Sequence, residues 1–307
     1  MVEIKKALSF ISLFTIVTSL FCPTKDYCQV HIFGDSLSDY SNLYAYTNNT
    51  LPDNRYYFNG RYSNGRTWVE YLTESMKVKK VQNFAYAGAT SDNVEFEPKL
   101  VKGGVPGAIQ QVENYNKYYD QKEKYNIFRC RKSLIVFAFG GNDFDLPNSS
   151  PQKMMDNLDK ALTTLIEKNG LTDFLLMVGS PLDYAPKIKL LPKPYQEQIT
   201  KVAVGLEYIW NQLITKYKSK YNNLNIYTFN SRSYVADLIN GAYILNNVTK
   251  WETEIGCLQR KFVNGTISSD TIRCSDPNNF IFWDELHPTT QVHKYVADQI
   301  FTKVLIN

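Results

Sequence analysis

The sequence predicts an α/β fold, a three-layer sandwich in which helices cover both faces of a mostly parallel five-stranded sheet. Short apolar runs rich in β-branched and aromatic residues alternate with amphipathic stretches along the chain, a pattern typical of parallel strands buried on both faces. Four of the five runs end at glycine, where a strand can turn sharply. The runs are VHIFG (30–34), VQNFAYAG (81–88), LIVFAFGG (134–141), FLLMVG (174–179) and LNIYTFN (224–230).

The amphipathic stretches between these runs predict the helices, because their apolar residues recur on one side at helical spacing. The expected helices lie at about 66–76, 107–122, 151–169, 195–220 and 289–304. Strand and helix alternate throughout, and no repeat, low-complexity tract or linker indicates a second domain. With 307 residues, 44% of them hydrophobic, the chain is long enough to bury one large core.

The N-terminal residues have the composition of a secretory signal peptide. Lysines precede an uncharged apolar run at residues 7–21, which a cysteine, a proline and charged residues end. The run is shorter than the ~20 residues of a membrane-spanning helix, so an uncleaved anchor is the weaker alternative. We expect residues 1–22 to be removed and residues 23–307 to form one domain, secreted or in the lumen of the secretory or lysosomal pathway. N-x-S/T sequons agree with a glycosylated secreted chain; they lie at Asn48, Asn148, Asn247 and Asn264.

Four cysteines remain once Cys22 leaves with the signal peptide, an even number that suits two disulfides in an oxidising compartment. Cys257 and Cys274 bracket a polar, turn-rich segment, and we expect them to pair with each other. By elimination we pair Cys28 with Cys130. Each lies a few residues before a predicted strand, so both belong to the same edge of a parallel sheet, where a bridge is feasible if the two strands are neighbours. Zinc binding is the weaker alternative, because no C-x-x-C or H-x-x-x-H spacing accompanies the four cysteines.

The predicted ligand site lies where the strands end, because open α/β sheets bind ligands at the carboxyl ends of their strands. Four of the five runs bring small or polar residues to that edge. These are Gly34-Asp35-Ser36, Gly88-Ala89-Thr90, Gly140-Gly141-Asn142-Asp143 and Gly179-Ser180. A serine hydrolase needs a nucleophilic hydroxyl, a base, an acid that orients the base, and donors for the oxyanion.

One of the three histidines is placed to act as that base. His31 lies inside the first strand and is expected to pack into the sheet, whereas His293 falls within the last helix, where a surface or capping role is the default. His287 follows Asp284 by three residues and precedes Pro288. On such a turn the carboxylate can bond to one ring nitrogen and leave the other free to accept a proton. The competing interpretation is a histidine that caps the last helix beside a surface aspartate.

Ser36 has two interpretations. A serine before a helix is a common N-cap, and a helix N-terminus after a parallel strand is also where backbone N–H groups and the helix dipole stabilise an anion. The G-x-S-x-G elbow of α/β-hydrolases is absent, because this serine stands in G-D-S-L-S. We expect Ser36 both to begin a helix and to act as a nucleophile, on a different hydrolase scaffold.

Four blocks of the sequence resemble those of the GDSL lipases and esterases, also called SGNH hydrolases. The residues that carry the resemblance are Ser36 in FGDSLSD, Gly88 in NFAYAGAT, Asn142 in GGND and His287 in DELHP. The segment NGRYSNGRTWVEYL at 59–72 is similar to GRFSNG-x-x-W-x-x-x-L of the secreted fungal, protist and bacterial branch. The blocks span residues 32–290, nearly the whole mature chain, and they imply the flavodoxin-like fold of the SGNH hydrolases.

The resemblance implies a role for each matching residue. Ser36 would be the nucleophile, His287 the general base and then acid, and Asp284 the carboxylate that orients His287. The backbone N–H groups of Ser36 and Gly88, with the side-chain amide of Asn142, would form the oxyanion hole. A tight turn at Gly88 and a loop cap at Asn142 are the ordinary structural interpretations, and both are compatible with these roles.

Three further aspartates near the predicted site are expected to be structural. They are Asp35, Asp39 and Asp143. We expect their carboxylates to hold the loops around Ser36 and Asn142 by accepting backbone hydrogen bonds. The site implies neither a metal ion nor an organic cofactor.

The composition limits the expected partners. A net charge of +4 is small for this length, and the lysines and arginines are scattered, which argues against nucleic acid. We expect a monomer that takes a small-molecule or lipid ester as substrate and makes transient contact with a membrane or lipid surface.

The site indicates the reaction but not the substrate. The reaction is acyl transfer from an ester to water through a serine acyl-enzyme, and transfer to another acceptor stays open. Aromatic residues between 44 and 62, and KIKLLPKPY at 187–195, would suit a cleft for a lipid chain or an acetylated sugar, and ordinary loop packing explains them equally well. The preferred hypothesis is a lipase-like or phospholipase-like carboxylester hydrolase. The alternatives are an acetylesterase acting on acetylated polysaccharide and, from another class, a non-catalytic secreted binding protein.

Overall fold

Five parallel strands form the central sheet, as the sequence predicts. The computed structural model describes residues 27–93, 101–122, 132–145, 150–241, 248 and 250–306. The strands are β1 (Gln29–Gly34), β2 (Lys80–Asn83), β3 (Ser133–Ala138), β4 (Asp173–Val178) and β5 (Asn225–Asn230). They lie in the order β2-β1-β3-β4-β5, and every neighbouring pair is parallel. The strand that precedes Ser36 therefore lies between the strands that precede Gly88 and Asn142.

The second strand is shorter than the sequence predicts. β2 ends at Asn83, whose side chain accepts the N–H of Ala85 at 2.8 Å and donates to the carbonyl of Ser38 at 2.7 Å. The chain beyond Asn83 still follows β1, because the backbone N–H groups of Phe84 and Tyr86 donate to carbonyl oxygens of that strand. The Asn83 side chain thus ties the end of β2 to the turn after β1.

Helices cover both faces of the sheet and complete the three layers. The helices are α1 (Asn42–Tyr46), α2 (Trp68–Ser75), α3 (Ala108–Lys122), α4 (Pro151–Thr163), α5 (Pro186–Lys189), α6 (Lys193–Lys220), α7 (Ser231–Ile239) and α8 (Thr290–Ile300). Strand side chains point alternately to the two faces. Phe33 and Phe137 pack with α3, α4 and α6, whereas Ile32 and Val136 pack with α2 and α8. The five predicted helices are all present, and α4 and α8 each continue into one π-helical turn, Thr164–Lys168 and Phe301–Leu305.

A disulfide-closed excursion lies between β5 and α8. Cys257 and Cys274 form the disulfide expected from the sequence. Two short antiparallel pairs fill the excursion, and sequence analysis did not predict them because each strand has only two residues. They are β6 (Leu258–Gln259) with β9 (Ile272–Arg273), and β7 (Phe262–Val263) with β8 (Thr266–Ile267).

Several expectations lie outside the described residues and stay predictions. They concern the signal peptide at 1–22, the partner Cys130 proposed for Cys28, and the sequons at Asn148 and Asn247. The other two sequon asparagines, Asn48 and Asn264, are exposed. Within the ranges given above, every helix is too short or too polar to cross a bilayer.

Candidate active site

Ser36 stands at the carboxyl end of β1 in a single helical turn. The backbone N–H groups of Ser38 and Asp39 donate to the carbonyl of Asp35 at 3.0 and 2.9 Å, and the turn ends there. The expectation that Ser36 begins a helix is therefore wrong. The carboxylate of Asp39 accepts the backbone N–H of Asn42 at 2.7 Å, and this cap places the start of α1 six residues after the serine.

Three side chains from distant parts of the sequence form a chain of hydrogen bonds. The Oγ of Ser36 lies 2.9 Å from Nε2 of His287, and Nδ1 of His287 lies 2.8 Å from Oδ2 of Asp284. The other carboxylate oxygen, Oδ1, accepts the backbone N–H groups of Leu286 and His287, both at 2.8 Å. The Asp284 side chain thus closes the turn on which His287 stands and fixes the imidazole toward Ser36.

The carboxylate of Asp284 is fully buried and ionised. Burial alone would raise the pKa of Asp284, but the His287 ring, the Arg260 guanidinium and the Tyr57 phenol together hold it well below its usual range. An ionised carboxylate can only accept hydrogen bonds, so Nδ1 of His287 carries the proton that it shares with Asp284. Nε2 is then free to accept the hydroxyl proton of Ser36.

Three residues that support this arrangement were missed or misassigned by sequence analysis. Tyr57 and Tyr62 were considered only as walls of a cleft, and Arg260 was part of a turn-rich segment. The Tyr57 hydroxyl donates to Asp284 at 2.6 Å, and the Tyr62 ring lies 4.8 Å from the His287 ring, between centroids. Arg260 lies 3.9 Å from Asp284. Contacts between segments about two hundred residues apart carry no local signal in one sequence.

Gly88 and Asn142, the predicted oxyanion residues, follow the two strands that flank β1. Asn142 begins the 3₁₀ turn Asn142–Asp145 beyond β3 and lines the same cavity as Ser36. One N–H of its amide donates to the carbonyl of Ala89 at 2.8 Å, which fixes the side chain and leaves the second N–H available. Gly88 precedes Ala89 with φ of 85°, a left-handed conformation that favours glycine. Among the described residues, Asn142 lines the cavity beside Ser36, whereas Gly88 does not.

The three aspartates around the site hold loops, as expected from the sequence. Burial raises the pKa of Asp35 to about 6, and it also raises the pKa values of Asp39 and Asp143. Each carboxylate accepts backbone hydrogen bonds that offset the cost of burying its charge. The donors are the N–H groups of Leu37 for Asp35, of Ser41, Asn42, Leu43 and Ala87 for Asp39, and of Ser91 for Asp143.

An apolar cavity of about 120 Å³ opens beside Ser36 and His287 and extends between the sheet and helices α2, α7 and α8. Its apolar wall is formed mainly by Trp68, Met177, Val235, Val292 and Val296. A second cavity, of about 260 Å³, lies against α6 and includes Phe144, Ile199, Val202 and Leu206. The two cavities are adjacent, because Gly140, Ser180 and Leu182 line both of them, and the pair is called the groove below.

The other two histidines are buried and neutral. His31 packs against Tyr115 and Tyr119, as expected, and burial followed by the charge of Lys80 lowers the pKa of His31 to about 3. His293 also lies in the interior, and burial lowers its pKa to about 3. The surface or capping role expected for His293 is wrong, because α8 packs against α2 and turns this side chain toward the cavity. Among the described residues, no group of three or more His, Cys, Asp or Glu side chains is arranged to hold a metal ion.

Comparison with known proteins gives one family. The family model for GDSL-like lipases and acylhydrolases matches residues 30–300. A thermolabile hemolysin of Vibrio parahaemolyticus serotype O3:K6 is 26% identical in an alignment of 288 residues that covers 89% of this chain and 62% of the relative, so the chain spans less than two thirds of that protein. A GDSL esterase/lipase of Arabidopsis thaliana is 24% identical in an alignment of 282 residues that covers 79% of each chain. A phosphatidylcholine-sterol acyltransferase of Aeromonas hydrophila is 21% identical in an alignment of 323 residues that covers 90% of each chain.

Proposed function

The chain belongs to the GDSL-like lipase/acylhydrolase family, and we propose that it is a secreted serine carboxylester hydrolase that acts on lipid or phospholipid esters. The observation that carries the proposal is the hydrogen-bonded series of Ser36, His287 and Asp284 at the mouth of an apolar cavity. A buried carboxylate, an imidazole and a serine hydroxyl in this order are the parts of an activated serine nucleophile.

In the proposed acylation step, Ser36 Oγ attacks the ester carbonyl carbon while its proton passes to Nε2 of His287. Negative charge develops on the carbonyl oxygen, where the N–H groups of Ser36 and Gly88 and the free N–H of Asn142 would stabilise it. The bond to the alcohol oxygen then breaks, and the alcohol leaves with the proton from Nε2. Asp284 stays ionised throughout and stabilises the imidazolium that forms between the two transfers.

The proposed deacylation step repeats these transfers with water in place of the alcohol. Nε2 of His287 accepts a proton from water as the water oxygen attacks the acyl carbonyl. The bond to Ser36 Oγ breaks, Nε2 returns the proton to Oγ, and the carboxylic acid leaves. Transfer to another hydroxyl would need the same protons to move, and one relative is an acyltransferase by name.

The apolar cavity supports a hydrocarbon acyl group over an acetyl group. Trp68, Met177 and Val296 line a space that extends well beyond the serine, and an acetyl group would leave most of it unfilled. Filling such a space with methylene groups is favourable by about 0.8 kcal/mol for each buried CH₂. A relative named for phosphatidylcholine is consistent with this class of substrate.

We also propose that the protein is secreted after removal of residues 1–22. The Cys257–Cys274 disulfide supports an oxidising compartment, because such bonds rarely persist in the cytosol. Expression of residues 1–307 in a secreting host, followed by mass measurement of the intact secreted product, tests this route. A secreted product that begins near residue 23 is expected, and an intracellular protein that retains residues 1–22 would contradict it.

Hydrolysis of a p-nitrophenyl ester series from acetate to palmitate tests the catalytic proposal. We expect Ser36→Ala to lower the rate at least about a thousandfold. Ser41→Ala is a matched control, because the hydroxyl of Ser41 makes no cap hydrogen bond to α1. A long-chain optimum supports the lipid class, whereas a sharp preference for acetate supports the acetylesterase. Equally negligible rates for the parent and Ser36→Ala, with the fold intact, would replace both with the binding protein.

A further inference from the structure

An exposed apolar segment connects α5 to α6. All six residues from Leu190 to Tyr195 are exposed, and five of them are leucine, proline or tyrosine. Leu190 is 80% exposed and Tyr195 is 59% exposed. Large apolar side chains that cluster on a surface generally mark an interaction site, whereas single ones do not.

The apolar face of α6 continues from this segment into the groove. Tyr195, Ile199, Val202 and Leu206 recur at intervals of three or four residues, so they share one side of the helix. The last three line the second cavity, which shares wall residues with the cavity beside Ser36. The apolar face of α6 therefore leads from the exposed segment to a cavity adjacent to the one at the serine.

The charge of the segment identifies its partner. The stretch from Lys187 to Tyr195 contains three lysines and no acidic residue. Lys193 is exposed beside the apolar side chains, while Lys189 pairs with Glu254 at 2.7 Å. Exposed leucine and tyrosine with neighbouring lysines are suited to an anionic lipid surface, where apolar groups enter the acyl boundary and lysines meet the head groups.

The segment is held in place by hydrogen bonds within the protein. The side-chain amide of Gln196 donates to the carbonyl oxygens of Lys189 and Leu191 at 2.9 and 2.7 Å. The backbone N–H of Lys187 donates to the carbonyl of Glu285, next to Asp284. The apolar side chains are therefore presented on an ordered backbone that is tied directly to the candidate active site.

We propose that the segment Lys187–Tyr195 docks the protein on an anionic phospholipid surface. Docking in this orientation would place the α6 face of the groove against that surface. The purpose of the groove rests on the proposed function, since it would deliver a lipid ester to Ser36. Docking itself needs no turnover. It can therefore be measured in Ser36→Ala protein, which leaves the lipid intact.

Sedimentation with vesicles tests the docking. Secreted Ser36→Ala protein is mixed with vesicles of phosphatidylcholine alone, or of equal parts phosphatidylcholine and phosphatidylglycerol. We expect binding to the anionic vesicles and at least about a tenfold loss of partition in Leu190→Ser/Tyr195→Ser. Val204→Ser/Tyr208→Ser is the matched control, because these residues are also exposed but lie on the opposite side of α6. Thermal melting establishes that each variant is folded.

A charge variant separates the lysine contribution from the apolar one. We expect Lys193→Gln to lose about fivefold in partition to the anionic vesicles and nothing on neutral ones. Equal binding to both vesicles, or equal losses in the two double variants, would overturn the proposal. Failure of the proposed function would appear separately, as an absence of ester hydrolysis by the parent protein, and would leave the sedimentation result unchanged.

Discussion

The phenol of Tyr57 donates a 2.6 Å hydrogen bond to Oδ2 of Asp284, the same oxygen that accepts the Nδ1–H of His287. Tyr57 is buried, and burial together with the neighbouring carboxylate raises the pKa of its hydroxyl, so it remains a donor. Two donors converging on one oxygen fix the plane of the carboxylate. Tyr57 therefore acts on the site through Asp284, as a positioning residue.

Removal of this hydroxyl is expected to lower kcat without weakening substrate binding. Tyr57→Phe deletes a hydrogen bond to a charged group, a contact worth about 1.5–3 kcal/mol, so kcat should fall about tenfold or more while KM stays nearly constant. Steady-state hydrolysis of p-nitrophenyl butyrate measures both constants. Tyr56→Phe is the control, because the Tyr56 hydroxyl donates to the carbonyl of Ser268 instead. Equal losses in both variants would mean that packing, not the bond to Asp284, accounts for the effect.

The Arg260 guanidinium compensates two carboxylates, and its loss should destabilise the fold. It lies 3.9 Å from Asp284 and bonds to Glu285 through Nε at 2.9 Å. In Arg260→Gln the buried Asp284 charge loses a compensating partner, so the free energy of unfolding should fall by about 3 kcal/mol. Urea unfolding at pH 7 measures this change. Arg273→Gln, on the same excursion but exposed over Trp283, should cost much less.

The loss in free energy of unfolding caused by Arg260→Gln should become smaller in acid. The depressed pKa of Asp284 contributes stability above the unfolded pKa of about 4, and this contribution is lost as pH falls toward the folded pKa. The variant has less of this stability to lose. The difference in free energy of unfolding between the parent and the variant should therefore become smaller in acid. This decrease is confined to pH values below the folded pKa of Asp284 in the variant, and a difference that widens in acid would contradict this sign.

Local patterns explain what could be predicted from the sequence. The five strands follow from apolar runs that end at glycine, and Ser36 and His287 follow from short blocks at strand ends. Other features depend on competition or on distant contacts. The Asp39 carboxylate caps α1 at Asn42, so the helix begins beyond Ser36. The sequence alone does not indicate that Asp39, rather than Ser36, is the residue that caps a helix here. His293 is buried only because α8 packs against α2, a tertiary contact.

The backbone of Asp284 packs against Gly256 and leaves no room for a side chain at that position. A Cβ there would lie 2.5 Å from the carbonyl carbon and 2.8 Å from the Cα of Asp284. Gly256→Ala should therefore displace the aspartate, lower the free energy of unfolding by about 1–3 kcal/mol and reduce kcat. Gly205→Ala is the matched control, because a Cβ at this position in α6 meets open space, and it should raise stability by about 1 kcal/mol. Thermal and urea unfolding check both, and a neutral Gly256→Ala would contradict the close packing.

The carboxyl of Asp35 should make the protein less stable as pH rises, the reverse of the usual effect of an aspartate. Burial raises its pKa to about 6 in the folded protein, whereas the unfolded chain ionises near pH 4. Between these two pKa values the folded protein keeps a proton on Asp35 that the unfolded chain has lost. The free energy of unfolding therefore falls as pH rises, and this loss is complete above about pH 6. Asp35→Asn keeps an acceptor for the N–H of Leu37 and removes the charge. It should leave stability unchanged near pH 4 and raise it by up to about 3 kcal/mol at pH 8. Urea unfolding across this range tests the sign, and a gain at pH 4 that disappears at pH 8 would refute it.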